Sequence, residues 1–95
     1  MPTATITDNR AESRFEMDVD GRPAILAYRR ERKRLVLTHT EVPEEAEGQG
    51  LGGKLVRSAF EAAREAGEKV VPLCPFANTW VKRHPEFEPL VERHW

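Results

Sequence analysis

The sequence is short of several things, and each shortage excludes something. It holds one cysteine, Cys74, so no disulfide can form within the chain, and a lone thiol suits a reducing compartment such as the cytosol. No apolar run approaches the roughly 20 residues that a membrane span needs. The opening residues, Met1-Pro2-Thr3-Ala4-Thr5, lack the basic-then-apolar pattern of a secretory signal, so a cytoplasmic location without membrane association is expected. Neither charge dominates: 15 Lys and Arg against 16 Asp and Glu leave a net charge of −1. Nucleic-acid binders usually carry a basic surplus, so nucleic acid is not the expected partner. Three scattered histidines and one cysteine show no ligand spacing, and no metal is expected.

What the chain does contain is enough for one compact unit. Its 95 residues are 39% hydrophobic and 33% charged, the balance of a small globular domain with a modest core. No repeat, low-complexity segment or linker interrupts it, so a single domain over residues 1–95 is expected. The charges are unevenly placed. Arg29, Arg30, Arg32, Lys33 and Arg34 form a basic run around Glu31, and Glu41, Glu44, Glu45 and Glu47 form an acidic stretch. Both read first as solvated turns.

Phe15, Met17 and Val19 alternate with Arg14, Glu16 and Asp18, the period of a half-buried strand. Asp20-Gly21 is a hairpin signal, because glycine accepts positive φ. Ala24–Tyr28 reads as a second strand, the charged run from Arg30 to Arg34 as a turn, and Leu35–Thr40 as a third strand. Thr3–Thr7 is a candidate edge strand. A helix is predicted over 51–66, with Leu55, Val56, Ala59, Phe60, Ala63 and Ala66 recurring at helical spacing and Gly67 as its cap. Val70–Cys74 follows as a short strand, parallel to the one before the helix because a helical crossover returns the chain that way. Pro72 puts that strand at a sheet edge or leaves its N–H side free. Phe76–Arg83 reads as a short helix ended by Pro85, and Phe87–Trp95 as either a helical turn or ordered coil. The fold class is α+β, bordering on α/β: an antiparallel meander, a β-loop-helix-β unit and short C-terminal helices.

The glycines are concentrated where that helix begins, in Glu47-Gly48-Gln49-Gly50-Leu51-Gly52-Gly53-Lys54. Glycines let backbone approach a phosphate, and free N–H groups at a helix start point at it with the positive end of the dipole. Two phosphate fingerprints fit the letters but not the context. Gly48, Gly50 and Gly53 satisfy G-x-G-x-x-G, yet the following strand ends in Leu73-Cys74-Pro75 with no carboxylate to hold a ribose. Gly48–Lys54 satisfies G-x-x-x-x-G-K, yet Leu55 stands where Ser or Thr must reach Mg²⁺. The segment instead resembles the acyl-CoA pyrophosphate loop of the GNAT acetyltransferase superfamily, Gln/Arg-x-x-Gly-x-Gly/Ala. Gly50 and Gly52 fill its glycine positions, and Glu47 stands in place of the Gln or Arg. His39-Thr40-Glu41-Val42-Pro43 before the loop resembles the small single-domain members of that superfamily. So do Val71-Pro72-Leu73-Cys74-Pro75-Phe76 and Arg83-His84-Pro85-Glu86-Phe87 after it, in the same order. The likeness covers about residues 14–91.

The resemblance implies a truncated GNAT fold and an N-acetyltransferase that moves an acetyl group from acetyl-CoA to a primary amine. By the same resemblance, backbone groups at Glu41 and Val42 pair with the pantetheine arm. Gly48, Gln49, Gly50, Leu51, Gly52, Gly53 and Lys54 hold the pyrophosphate, and Asn78 touches the arm. Cys74 either takes the acetyl group or assists at the thioester, and His39 deprotonates Cys74 or the incoming amine; structural packing is the alternative for each. The family's usual tyrosine acid has no counterpart, since the only tyrosine, Tyr28, lies on an early strand. Glu47 and the missing tyrosine motivate a second reading, a non-catalytic acyl-CoA-binding module, and the Arg29–Arg34 run a third, a small adaptor that contacts nucleic acid or acidic partners. The chain is shorter than most GNAT domains, which leaves the acceptor side open and points to an amine on a protein or a polyamine.

Overall fold

Three short turns, two of them of two residues, fold the first half of the chain into a meander. The computed structural model describes residues 5–93, and in it β1 (Thr7–Asn9), β2 (Arg14–Val19), β3 (Arg22–Glu31) and β4 (Arg34–Glu41) are successive antiparallel neighbours. Asp20 and Gly21 make the β2–β3 turn at φ 50° and 87°. The strand candidate at Thr3–Thr7 is displaced: β1 begins at Thr7, and Thr3 and Ala4 lie outside the described residues.

The basic run is not the loop its charge suggests. β3 continues to Glu31 and β4 starts at Arg34, leaving only Arg32 and Lys33 in the turn, at φ 48° and 63°. Left-handed backbone costs a residue with a Cβ about 1–2 kcal/mol. The ladder on either side imposes it, through the pairs Arg29↔Val36, Arg30↔Leu35 and Glu31↔Arg34. Two of the flanking arginines hold distant carboxylates: Arg30 reaches Glu68 and Arg34 reaches Glu92.

The helix α1 spans Leu51–Ala66, and Gly67 closes it at φ 72°. Glu68 N–H bonds to Ala63 O and Gly67 N–H to Arg64 O, the paired bonds of a Schellman cap. Leu55, Val56, Ala59, Phe60 and Ala63 form one buried face and lie on Phe15, Met17, Leu26, Tyr28, Leu35 and Leu37 of the sheet. The crossover returns the chain to β5 (Lys69–Pro72), which pairs in parallel with Arg34–Leu37 of β4 and ends the sheet order β1-β2-β3-β4-β5. Pro72 therefore sits on the last strand, where its missing N–H breaks no inner ladder. Beyond it α2 (Pro75–Lys82) contributes Ala77 and Val81 to the same core, and a 3-10 turn at Pro85–Leu90 contributes Phe87. Val91 then bridges to Val70, so the segment after Pro85 is ordered against β5. Among the described residues no helix is long and apolar enough to cross a membrane.

Both helices pack on one face of the sheet. Strand pairing puts Glu16, Ile25, Ala27, His39 and Glu41 on the other face, away from that core.

At the far end of the sheet the Tyr28 hydroxyl donates to Asp8 Oδ1 at 2.5 Å and accepts from Arg30 Nη1 at 3.0 Å. Burial, and then the hydrogen bond to Asp8, raises the phenol above its ordinary value of 10.0. A raised folded pKa means the native state holds that proton more tightly than the unfolded chain. The stabilisation is complete below the unfolded pKa and is lost as pH rises through the folded one. Because Tyr28 is the sole tyrosine, its tyrosinate absorbance is expected to titrate at higher pH in native protein than in denaturant. Tyr28→Phe is expected to remove the corresponding alkaline loss in urea midpoint, a comparison made by equilibrium unfolding across the alkaline range.

Candidate active site

An extra residue in β4 prepares the site. Tyr28 pairs with Leu37 and Ala27 with His39, so Thr38 has no partner on β3 and forms a bulge, its hydroxyl donating to Ala27 O at 3.2 Å. A bulge bends its strand and re-aims the side chains beyond it. β5 stops in step with it: the last link across is Cys74 N–H to Leu37 O at 2.9 Å. From Thr38 to Glu41, β4 pairs only with β3, and its other edge has no strand beside it.

The chain then passes through Pro43, a 3-10 turn at Glu44–Ala46, and the glycine loop. The four glycines divide into two jobs. Gly48 and Gly50 take φ 89° and 76°, with open space where a Cβ would stand. Gly52 and Gly53 are helical, and a Cβ on them would meet the Phe76 ring at 2.8 Å and Trp80 Nε1 at 3.0 Å. α2 thus lies in a notch cut into the first turn of α1.

That first turn is open to a ligand. Gly50 caps the helix without a side chain, no acidic residue sits in the turn, and the first intrahelical donor is Lys54 N–H to Gly50 O. The N–H groups of Leu51, Gly52 and Gly53 have no acceptor within the helix and share the positive end of its dipole. Leu51 and Gly52 border a cavity of about 490 Å³ lined also by Thr40 from β4, by Val42, Ala46, Glu47, Gly48 and Gly50, and by Phe76. A second cavity of about 390 Å³ adjoins it, sharing Gly50 and Phe76, with Lys54, Arg57 and Arg83 supplying cations and Trp80 and His84 a stacked pair at 3.8 Å. Phe76, 46% exposed, stands between the two. Arg57 lies over the Trp80 and Phe87 rings and within 3.9 Å of Glu86.

The model of the GCN5-related N-acetyl-transferase family matches residues 14–90 of this chain. The chain belongs to that family. The solution structure of a GCN5-like protein from Staphylococcus aureus, itself named only as a candidate N-acetyltransferase, aligns over 99% of this chain and 95% of that one. The TM-score is 0.75 at 27% sequence identity.

The residues expected to serve a GCN5-related site are only partly brought together. Gly48, Gly50, Leu51, Gly52 and Val42 line the first cavity, and Gly53 and Lys54 the second. Gln49 turns elsewhere, into a small cavity with Asp20, Arg22 and Glu45. Asn78 lines neither large cavity, and its side-chain oxygen accepts from Arg93. Cys74 is the N-cap residue of α2, 4% exposed and part of the hydrophobic core. Its sulfur lies 3.1 Å from Thr40 Oγ1, and of the two only Thr40 reaches the cavity wall. His39 is exposed, on the opposite face of β4 with Ala27 and Glu41. Counting alternate residues from Leu35 and Leu37 would send His39 to the Cys74 side; the Thr38 bulge reverses the phase and sends Thr40 there instead. Among the described residues no three His, Cys, Asp or Glu side chains gather to hold a metal ion.

Thr40, Phe76 and Arg83 are wall residues that the sequence motifs contain but to which sequence reasoning gave no role at the site. The exposed Phe76 after the Cys74-Pro75 corner was the available signal for one of them. For Thr40 the bulge is invisible in the letters. Since Gly50 has a left-handed backbone and room for a methyl group, Gly50→Ala is expected to cost about 1–2 kcal/mol from backbone strain alone. Urea unfolding should show a lowered midpoint with an unchanged slope.

Proposed function

We propose that the protein transfers an acetyl group from acetyl-CoA to a primary amine. The observation that carries this reading is the cavity of about 490 Å³ where the unpaired N–H groups of α1 meet the free edge of β4. The turn suits a pyrophosphate, and the edge past Leu37 offers N–H and C=O groups to the amides of a pantetheine arm. The cationic second cavity, with Lys54, Arg57 and Arg83, suits the outer phosphate-bearing end of the same donor. Gly48, Gly50, Leu51, Gly52, Gly53 and Lys54 then hold the donor, with Val42 against its arm.

The acceptor enters from the other face. His39 and Glu41 lie there on β4, and imidazole is the commonest general base. The acidic side chains and the uncovered surface favour a cationic amine on a protein or a polyamine. Cys74 assists from behind the cavity wall. The lone thiol favours a reducing, cytoplasmic setting.

A second reading, a module that binds acyl-CoA without turnover, is favoured by one observation: Glu47 puts a carboxylate on the wall of the phosphate cavity. Calorimetric titration with acetyl-CoA, followed by a thiol assay for released CoA with peptide and polyamine acceptors, separates the two. Binding with turnover supports the enzyme, binding without turnover the module, and no binding at millimolar donor removes both. Like charges a few ångström apart in water repel by about 1 kcal/mol. Glu47→Gln is therefore expected to tighten acetyl-CoA binding by up to about fivefold in the same calorimeter.

A further inference from the structure

We infer that Thr40 is the residue that hands a proton to the departing thiolate, with Cys74 behind it as the proton's source. The inference rests on the acetyltransferase reading above and supplies what that reading lacks, a general acid. The sole tyrosine, Tyr28, is bound to Asp8 and Arg30 in a separate network. Trp80 is stacked on His84 and has no acidic proton.

Three observations converge on Thr40. Its hydroxyl is 3.1 Å from the Cys74 sulfur, a contact in which either atom can donate. It forms part of the wall of the cavity beside the glycine loop, on the stretch of β4 that β5 no longer covers. Cys74 does not line that cavity and is 4% exposed, so its sulfur is screened from a thioester carbonyl held there. A proton can cross from sulfur to cavity through the hydroxyl, whereas attack by the sulfur would need α2 or β4 to move.

The step balances. The neutral amine attacks the thioester carbonyl, and the C–S bond breaks with its electron pair going to sulfur. Thr40 Oγ1 gives its proton to that thiolate as Cys74 gives its own to Thr40, leaving CoA thiol and a Cys74 thiolate. The proton shed by the acylated nitrogen returns to Cys74 by way of solvent and the same hydroxyl. No covalent acetyl-enzyme forms, and no other reactant is required.

The test compares wild type with Thr40→Val and Thr40→Ser. Valine keeps the shape and β-propensity of threonine without the hydroxyl, and urea unfolding verifies that the variant is folded. General acid catalysis typically contributes 10²–10⁴-fold. Thr40→Val is therefore expected to lower kcat roughly 100-fold, with calorimetric binding of acetyl-CoA changed less than about twofold. Thr40→Ser is expected to restore most of the rate, and the wild-type solvent deuterium isotope effect on kcat to shrink in Thr40→Val. Thr40→Val with wild-type kcat, or a stable acetyl adduct on Cys74 by mass spectrometry, would overturn the relay while leaving the acetyltransferase intact. Wild-type protein that binds acetyl-CoA without turnover, or fails to bind it, removes the underlying reading and the relay with it.

Discussion

One unpaired residue in β4, Thr38, is what the rest of the site depends on. Before it, the strand alternates in phase with its neighbours, and Leu35 and Leu37 face α1. After it the phase is reversed, so Thr40 faces the helices and His39 the uncovered side. A shift of one position in a period of two exchanges every side chain beyond it between faces. The bulge also falls where β5 ends, so the bent half of β4 is the half with a free edge. Strand bending, the change of facing and the open edge are one event with several consequences.

The glycine loop is built on a comparable economy. Gly48 and Gly50 provide the left-handed backbone of the turn, whereas Gly52 and Gly53 give up their side chains to the rings of Phe76 and Trp80. Close packing of α2 against the first turn of α1 draws Phe76 over the loop and brings Arg83 beside Lys54 and Arg57. The aromatic cluster of Phe60, Trp80 and Phe87, with ring centroids 5.4–5.9 Å apart, anchors that arrangement to the core. A helix start with free N–H groups and a helix pair that packs tightly thus share Gly52 and Gly53, and substitutions at either act on both.

Charge is distributed with a similar logic. The basic run that stands out in the sequence serves structure: Arg30 joins β3 to Glu68, the residue before β5, and Arg34 joins β4 to Glu92, whose N–H bonds to Val70 of β5. Lys54 and Arg57 on α1 meet Arg83, from the far end of α2, at one cavity. The near-zero net charge therefore conceals a local cationic wall on the helix side of the sheet and a carboxylate, Glu41, on the other face.

The sequence by itself determined the elements and their order. Phe15, Met17 and Val19 at period two, five apolar positions on one face of α1, and Gly67 at its end are local statements, each carried by backbone geometry and the burial of a few side chains. The parallel return of β5 was legible for the same reason, since a helix of that length leaves the chain few other routes. The glycine loop was legible as a helix start with free N–H groups, because these follow from the geometry of any helix start. Three things were decided only in the tertiary structure. The length of β3 and β4 through Arg30 and Arg34 depends on carboxylates contributed from residues 38 and 58 positions away. The division of labour among the glycines depends on where Phe76 and Trp80 come to rest. Which neighbour in His39-Thr40 meets Cys74 depends on a bulge that no residue in β4 announces, because a bulge is a mismatch between two strands and belongs to neither alone.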